Sequence, residues 1–336
     1  MFDQYEELPQ GFLDVSVEDL HEILPKPSLI HLTGELDNPI FICTLLHGNE
    51  TTGFYALQKL FREYQTNKLP RSISIFIGNV KAAEKGLRRL DQQIDYHRVW
   101  PGTLHHYLAE AHMMQQVTDI MRDKNVWASI DIHNNTGKNP HYACINKLQT
   151  EFTTLAYMFS ETLVYFTTPK GVQSSAFAEL CPAVTLECGL SGQAVGVDHV
   201  FSYLYRVLLA TELNQHHFDT VNLYHTVARV SIPELYSFGF EDDATINLLP
   251  EIENYNFKEL SAGTVLARTE PESSAYLQAF DDDDREVGRD FFEYHENKIV
   301  LKRPIMPAMI TMDTHIIRQD CLCYLMEKVL KDVLKQ

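Results

Sequence analysis

The sequence is short of positive charge. Lysine and arginine number 28 against 46 aspartates and glutamates, a formal net charge of −18 at pH 7 over 336 residues. Such a surface repels phosphate backbones and anionic lipid headgroups, which argues against nucleic acid and membrane as partners. Any anionic substrate must then be received by a local cluster of arginines. No apolar run approaches the roughly eighteen residues a membrane helix needs. The opening MFDQYEELPQGF lacks the basic and apolar regions of an export signal. Six cysteines are present, Cys43, Cys144, Cys181, Cys188, Cys321 and Cys323, with none of the CxxC pairs of a structural zinc site. Several sit inside apolar runs, where a thiol behaves as a small hydrophobe. Reduced thiols in a cytoplasmic protein are the expectation. Internal repeats and low-complexity linkers are missing too. The run Asp281-Asp282-Asp283-Asp284 lacks the spacing and glycine of a calcium loop and reads as a solvated acidic loop.

What is present is the composition of an ordinary globular protein, 45% hydrophobic and 22% charged. The length suits one large domain with a smaller one. Residues 17–24 read as a short helix. Apolar runs at 28–33, 39–46, 72–77, 126–132, 163–166 and 183–186 read as strands, with 34–38 as a turn. Helical spacing marks residues 51–64, 104–122, 152–161 and 197–213. Alternation of this kind implies an α/β fold, a mostly parallel mixed sheet flanked by helices, over residues 1–220. Short β-prone pieces from 224 onward predict a small β domain over 221–312. Leu322, Leu325, Met326, Val329 and Val333 fall on one stripe, so residues 313–336 are expected to close the chain as an amphipathic helix.

In α/β sheets, sites form where strands end. The segment Leu46-His47-Gly48-Asn49-Glu50 follows one strand and opens a helix. A turn there can aim His47 and Glu50, three apart, at one point, and an imidazole with a carboxylate suits Zn²⁺. A loop histidine beside a helix-favouring glutamate explains the pair equally well, so the partners downstream decide. His133 ends a second β-run, in Ser129-Ile130-Asp131-Ile132-His133-Asn134, and is the candidate third ligand. Asp131 points to the same side and could orient a ligand histidine. Glu187 ends a further strand, where partial burial raises a carboxyl pKa and suits a proton shuttle. Its alternative is a buried ion-pair partner. Between the first two sites lies a loop with Asn79, Arg88, Arg89, Asp95, His97 and Arg98. Arginines there can grip a carboxylate or polarise a carbonyl, or simply pair surface charge.

The ordered set HGNE, then GN–x–A near G–x–R, a D–x–N–R-like segment before PG, D–x–H–N–x–T and E–x–G resembles the aspartoacylase and succinylglutamate desuccinylase family, which belongs to the zinc carboxypeptidase-like hydrolases. The resemblance covers about residues 40–215. It implies His47, Glu50 and His133 as ligands of one Zn²⁺ per chain, and Glu187 as the general base and later acid. It implies Arg88 or Arg89 as the carbonyl-polarising arginine, and Arg98, His97 and Asn79 as substrate-binding residues. Two departures stand out. His97 replaces the family's asparagine, and the spacing between arginines is longer, which leaves Arg88 and Arg89 as alternatives.

The activity so implied is zinc-dependent hydrolysis of the amide bond of a small N-acyl amino acid. The alternatives are a zinc carboxypeptidase acting on a peptide C-terminus and a zinc-binding relative without turnover. A small acyl amino acid is the expected partner; the sequence leaves the acyl group and the oligomeric state open.

Overall fold

The structure is a computed structural model that describes residues 2–215, 221–241 and 243–329. The described residues fall into two compact units, one of residues 2–134 and 141–222, the other of 135–140 and 223–329.

The first unit runs β1 (Asp3–Tyr5), β2 (Ser28–Leu32), β3 (Gly34–Thr44), α1 (Thr52–Glu63), β4 (Leu69–Ile77), α2 (Val80–Ala83) and α3 (Ala109–Asp123). It continues through β5 (Ala128–Asn135), β6 (Tyr142–Ile145), α4 (Thr150–Tyr157), β7 (Thr162–Tyr165), α5 (Gln173–Phe177), β8 (Ala183–Leu190) and α6 (Ala194–Leu209). Its strands lie in the order β1-β2-β4-β3-β5-β8-β6-β7. The pairs β1–β2, β3–β4, β3–β5 and β6–β7 are parallel, whereas β2–β4 and β6–β8 are antiparallel. The chain thus has the α/β architecture its alternation implies. Strands β3, β5 and β8 are adjacent in that order; β5, β8 and the second half of β3 are almost continuously buried, as expected of central strands covered on both faces. Phe41 of β3 stacks on Phe177 with ring centroids 4.5 Å apart, and Trp100 closes the same cluster edge-on.

Two local expectations change. Residues 17–24 hold only a 3₁₀ turn, Leu20–Glu22. Gly34 to Asn38 is not a free turn but the start of β3, because β4 begins at Leu69 and pairs with it, with a register shift between Leu36 and Ile40.

In the second unit, Asn222–Ser231 pairs antiparallel with Cys323–Lys328 and with Gln278–Phe280, and Cys323–Lys328 pairs with Met306–Ala308. A five-stranded sheet follows the order Phe238–Gly239, Ile246–Leu248, Val265–Thr269, Lys298–Leu301, Phe292–His295. Val230, Ile246, Leu277, Ile299 and Leu325 lie in the core of this unit. The helix expected over 313–336 is a correction. Only Thr314–Gln319 is helical, and Cys323–Lys328 is a strand. Pairing with Asn222–Ser231 buries Cys323 and Leu325, and this tertiary partner overrides a spacing that also fits a helix. Residues 330–336 of that expectation lie outside the described residues. No helix among the described residues is long and apolar enough to cross a membrane.

Candidate active site

The site is built where β3, β5 and β8 end. After Thr44 the chain turns through Leu45, whose φ of 54° is left-handed, a conformation that costs a leucine roughly 1–2 kcal/mol. The loop after β4 supports this turn: Gly78 N donates to Thr44 O at 3.1 Å, and Asn79 N to Leu45 O at 2.6 Å. Gly48 N donates to Arg88 O at 3.1 Å. A Cβ on Gly48 would stand 2.2 Å from the backbone nitrogen of Ala83, so only glycine lets the two segments meet. Gly53 lets α1 start equally close, since a Cβ there would be 2.4 Å from Thr44 Oγ1.

This scaffold brings His47, Glu50 and His133 together, all buried, with ligating atoms within 4.8 Å of one another. Glu50 divides its two oxygens: Oε1 is 2.8 Å from His47 Nδ1, and Oε2 is 2.7 Å from His133 Nδ1. The opposite ring nitrogens face carboxylates as well. His47 Nε2 is 3.0 Å from Asp95 Oδ1, and His133 Nε2 is 3.0 Å from Asp131 Oδ2. Asn134 fixes the carboxylate from the side, its backbone N–H donating to Glu50 Oε2 at 3.1 Å. Its side-chain amide donates to Thr52 Oγ1 and Gly189 O, binding the ends of β5, α1 and β8 to each other.

Charge follows the geometry. Burial would raise the Glu50 carboxyl, but His47 and His133 outweigh it and hold it well below the usual range. Burial likewise opposes ionisation of Asp95, yet His47 and Arg88 keep it well below. Burial would depress His133, but Asp131 and Glu50 on either side raise it well above an ordinary histidine. A positive charge is therefore favoured between the two carboxylates. Two Nδ1 atoms and a carboxylate converge on one point, with each Nε2 backed by a carboxylate, a donor set that could hold a metal ion.

Glu187 on β8 is only 7% exposed, and burial pushes its carboxyl up to about 7. It feels the charges of His133, Glu50, His47 and Arg88, which puts it beside the cluster.

The arginines separate. Arg88 turns inward, with Nη1 3.5 Å from Glu50 Oε1 and Nη2 3.4 Å from Asp95 Oδ2. Arg89 instead donates to Gln93 O at 2.7 Å and braces the loop. Arg98 Nη1 donates to the His97 ring at 3.2 Å. His97 lies against the cluster, its ring centroid 4.2 Å from that of His133, and burial lowers its pKa to about 4. The Asn79 side chain exchanges hydrogen bonds with Gln93 and caps α2 through Ala82 N. Asp95 and Asn134 appear in the segments the sequence points to but receive no role from it. An aspartate two places before a loop histidine, and an asparagine directly after a strand-end histidine, were the available signals.

Residues 38–200 match the family described as the succinylglutamate desuccinylase/aspartoacylase catalytic domain. No curated protein sequence matches the chain significantly. Among solved structures the chain is similar to the succinylglutamate desuccinylase of Vibrio parahaemolyticus, at 15% identity and a TM-score of 0.62, with 96% of each chain covered. It is also similar to murine aminoacylase 3, at 14% identity and a TM-score of 0.56, covering 88% of this chain and 97% of that one. The ectoine utilization protein EutE (DoeB) of Ruegeria pomeroyi gives 15% identity and a TM-score of 0.57, with 90% and 88% covered. At such identities the likeness to solved structures establishes the fold.

Proposed function

Because residues 38–200 belong to the succinylglutamate desuccinylase/aspartoacylase family, we propose that this chain is a zinc-dependent deacylase that hydrolyses the amide bond of a small N-acyl amino acid. The observation that carries the reading is the convergence of His47 Nδ1 and His133 Nδ1 on the two oxygens of Glu50, with Glu187 buried beside them. His47, Glu50 and His133 would hold the ion. A zinc there supplies Lewis acidity and lowers the pKa of water to about 7.

The chain's own residues do the rest. Asp95 and Asp131 keep the Nε2 sides of the two histidines occupied, which leaves each Nδ1 for the ion. Glu187, with its pKa raised toward neutrality, takes the proton from the attacking water and passes it to the departing amine. Arg88 faces the cluster and is our choice for stabilising charge that develops on the scissile carbonyl oxygen. Arg98 is assigned to the substrate carboxylate, which it can grip through two parallel hydrogen bonds. Asn79 supports the turn before His47, its backbone N–H donating to Leu45 O, and is assigned this role rather than substrate binding.

The test is a substrate panel. Purified protein loaded with zinc is offered N-acetyl and N-succinyl amino acids and unblocked peptides, and the released amine is quantified. Release from acyl amino acids, with peptides left intact, is the expected result. Release of C-terminal residues from peptides would move the assignment to a carboxypeptidase, and a zinc-loaded protein inert on every member would make the site a binding site only.

A further inference from the structure

We propose that His97 is a positioning residue that links Arg98 to the metal-ligating His133, so that the arginine and the metal site are energetically coupled. The proposal rests on the metal reading above and concerns the position at which this chain departs from its family's asparagine.

A chain of contacts carries it. Arg98 Nη1 donates to His97 Nδ1 at 3.2 Å. A guanidinium has donors only, so Nδ1 is the acceptor and the His97 proton resides on Nε2. That Nε2 stands 3.1 Å from Asp131 Oδ2, a close polar contact outside ideal hydrogen-bond geometry. The same oxygen receives His133 Nε2 at 3.0 Å. The two imidazoles also pack against each other in a tilted arrangement, with centroids 4.2 Å apart and planes inclined by 38°. His133 then meets Glu50 at 2.7 Å through its other nitrogen.

Arg98 therefore fixes the tautomer of His97, and His97 confines both Asp131 and the His133 ring. An asparagine ends at the level of Nδ1 and cannot reach Arg98 and Asp131 together. A glutamine reaches the level of Nε2 and can restore the contact with Asp131. Outer partners of ligating histidines typically change metal affinity about 10–100-fold when removed.

The test uses cobalt(II) as probe, with a chelator in competition for affinity and the visible absorption bands for ligand geometry. His97→Ala should weaken binding about tenfold and shift the bands, while the thermal unfolding of the metal-free protein reports that it is folded. His97→Gln should return the wild-type spectrum and bring affinity to within about threefold of wild type. Arg98→Ala should shift the same bands in wild type but add nothing in the His97→Ala background, the non-additivity of coupled residues. Wild-type affinity and spectrum in His97→Ala, or full additivity with Arg98→Ala, would overturn the proposal. A wild-type protein that binds no cobalt would overturn the metal reading itself, which is a different result.

Discussion

Asp95 Oδ1 lies 3.0 Å from His47 Nε2, on the side of the ring opposite the nitrogen that faces Glu50. A residue 48 positions away thereby occupies one ring nitrogen and leaves the other as the one His47 would offer to a metal. Arg88 holds the other oxygen of Asp95 at 3.4 Å and keeps it in place. Asp95→Ala should lower zinc affinity by about 10–100-fold, the usual loss when a carboxylate behind a ligating histidine is removed. Competition with a chromogenic chelator measures it, and unchanged affinity would show that the contact does not orient the ring.

Glu187 yields a prediction about pH. Burial raises its pKa to about 7, against the pull of His133, His47 and Arg88 and with a further push from Glu50. As a base it must be ionised, so kcat/KM should fall as pH drops through this pKa and level off above it. A dication held nearby favours the carboxylate, so the inflection should lie at or below about pH 7. Glu187→Gln should keep its zinc, lose about two to four orders of magnitude in kcat, and lose the acid limb. Turnover within a few-fold of wild type would make Glu187 structural.

Arg98 is predicted to act on binding. A substrate carboxylate is the same in ground state and transition state, so its grip sets KM more than kcat. Arg98→Ala should raise KM strongly for an acyl amino acid and much less for its neutral amide. Arg98→Lys should rescue only in part, because an ammonium lacks the planar fork. Equal losses on both substrates would remove the carboxylate from the account.

Gly48 gives a prediction about stability. A methyl group there would stand 2.2 Å from Ala83 N and 2.4 Å from Ala82 C, backbone atoms that cannot swing aside. Gly48→Ala should destabilise the metal-free protein by about 1–3 kcal/mol, the common cost of overpacking. A lower urea midpoint at unchanged slope is the expected record, and an unchanged midpoint would contradict it.

The sequence made the strand ends legible because Ile40–Cys43 of β3, Ile130 and Ile132 of β5 and Val184 and Leu186 of β8 give β-prone apolar positions just before the residues that matter. Asp131 and His133 sit two apart on β5 and therefore share a face, and the structure joins them at 3.0 Å. The closing segment was misread because the spacing of Leu322, Leu325 and Met326 suits a helix, and only the pairing with Asn222–Ser231 makes Cys323–Lys328 a strand. Short elements such as β6 and α5 carry too few residues for a period to emerge. In the loop after β4, residue type alone could not tell an asparagine that clamps Gln93 from one that meets substrate, nor an arginine that reaches Glu50 from its neighbour that braces the loop. Loop conformation decides those roles, and it follows from contacts such as Asn79 N to Leu45 O that no local pattern encodes.

The most direct measurement is a zinc titration of activity. Protein stripped by a chelator and dialysed is given increasing zinc, and amine release from an N-acyl amino acid is followed at each ratio. Activity should start near zero, rise in proportion to added metal and break at about one equivalent per chain, the single ion that His47, Glu50 and His133 can hold. Full activity in the stripped protein, or no amine release at any ratio from a protein that has taken up its zinc, would contradict the account.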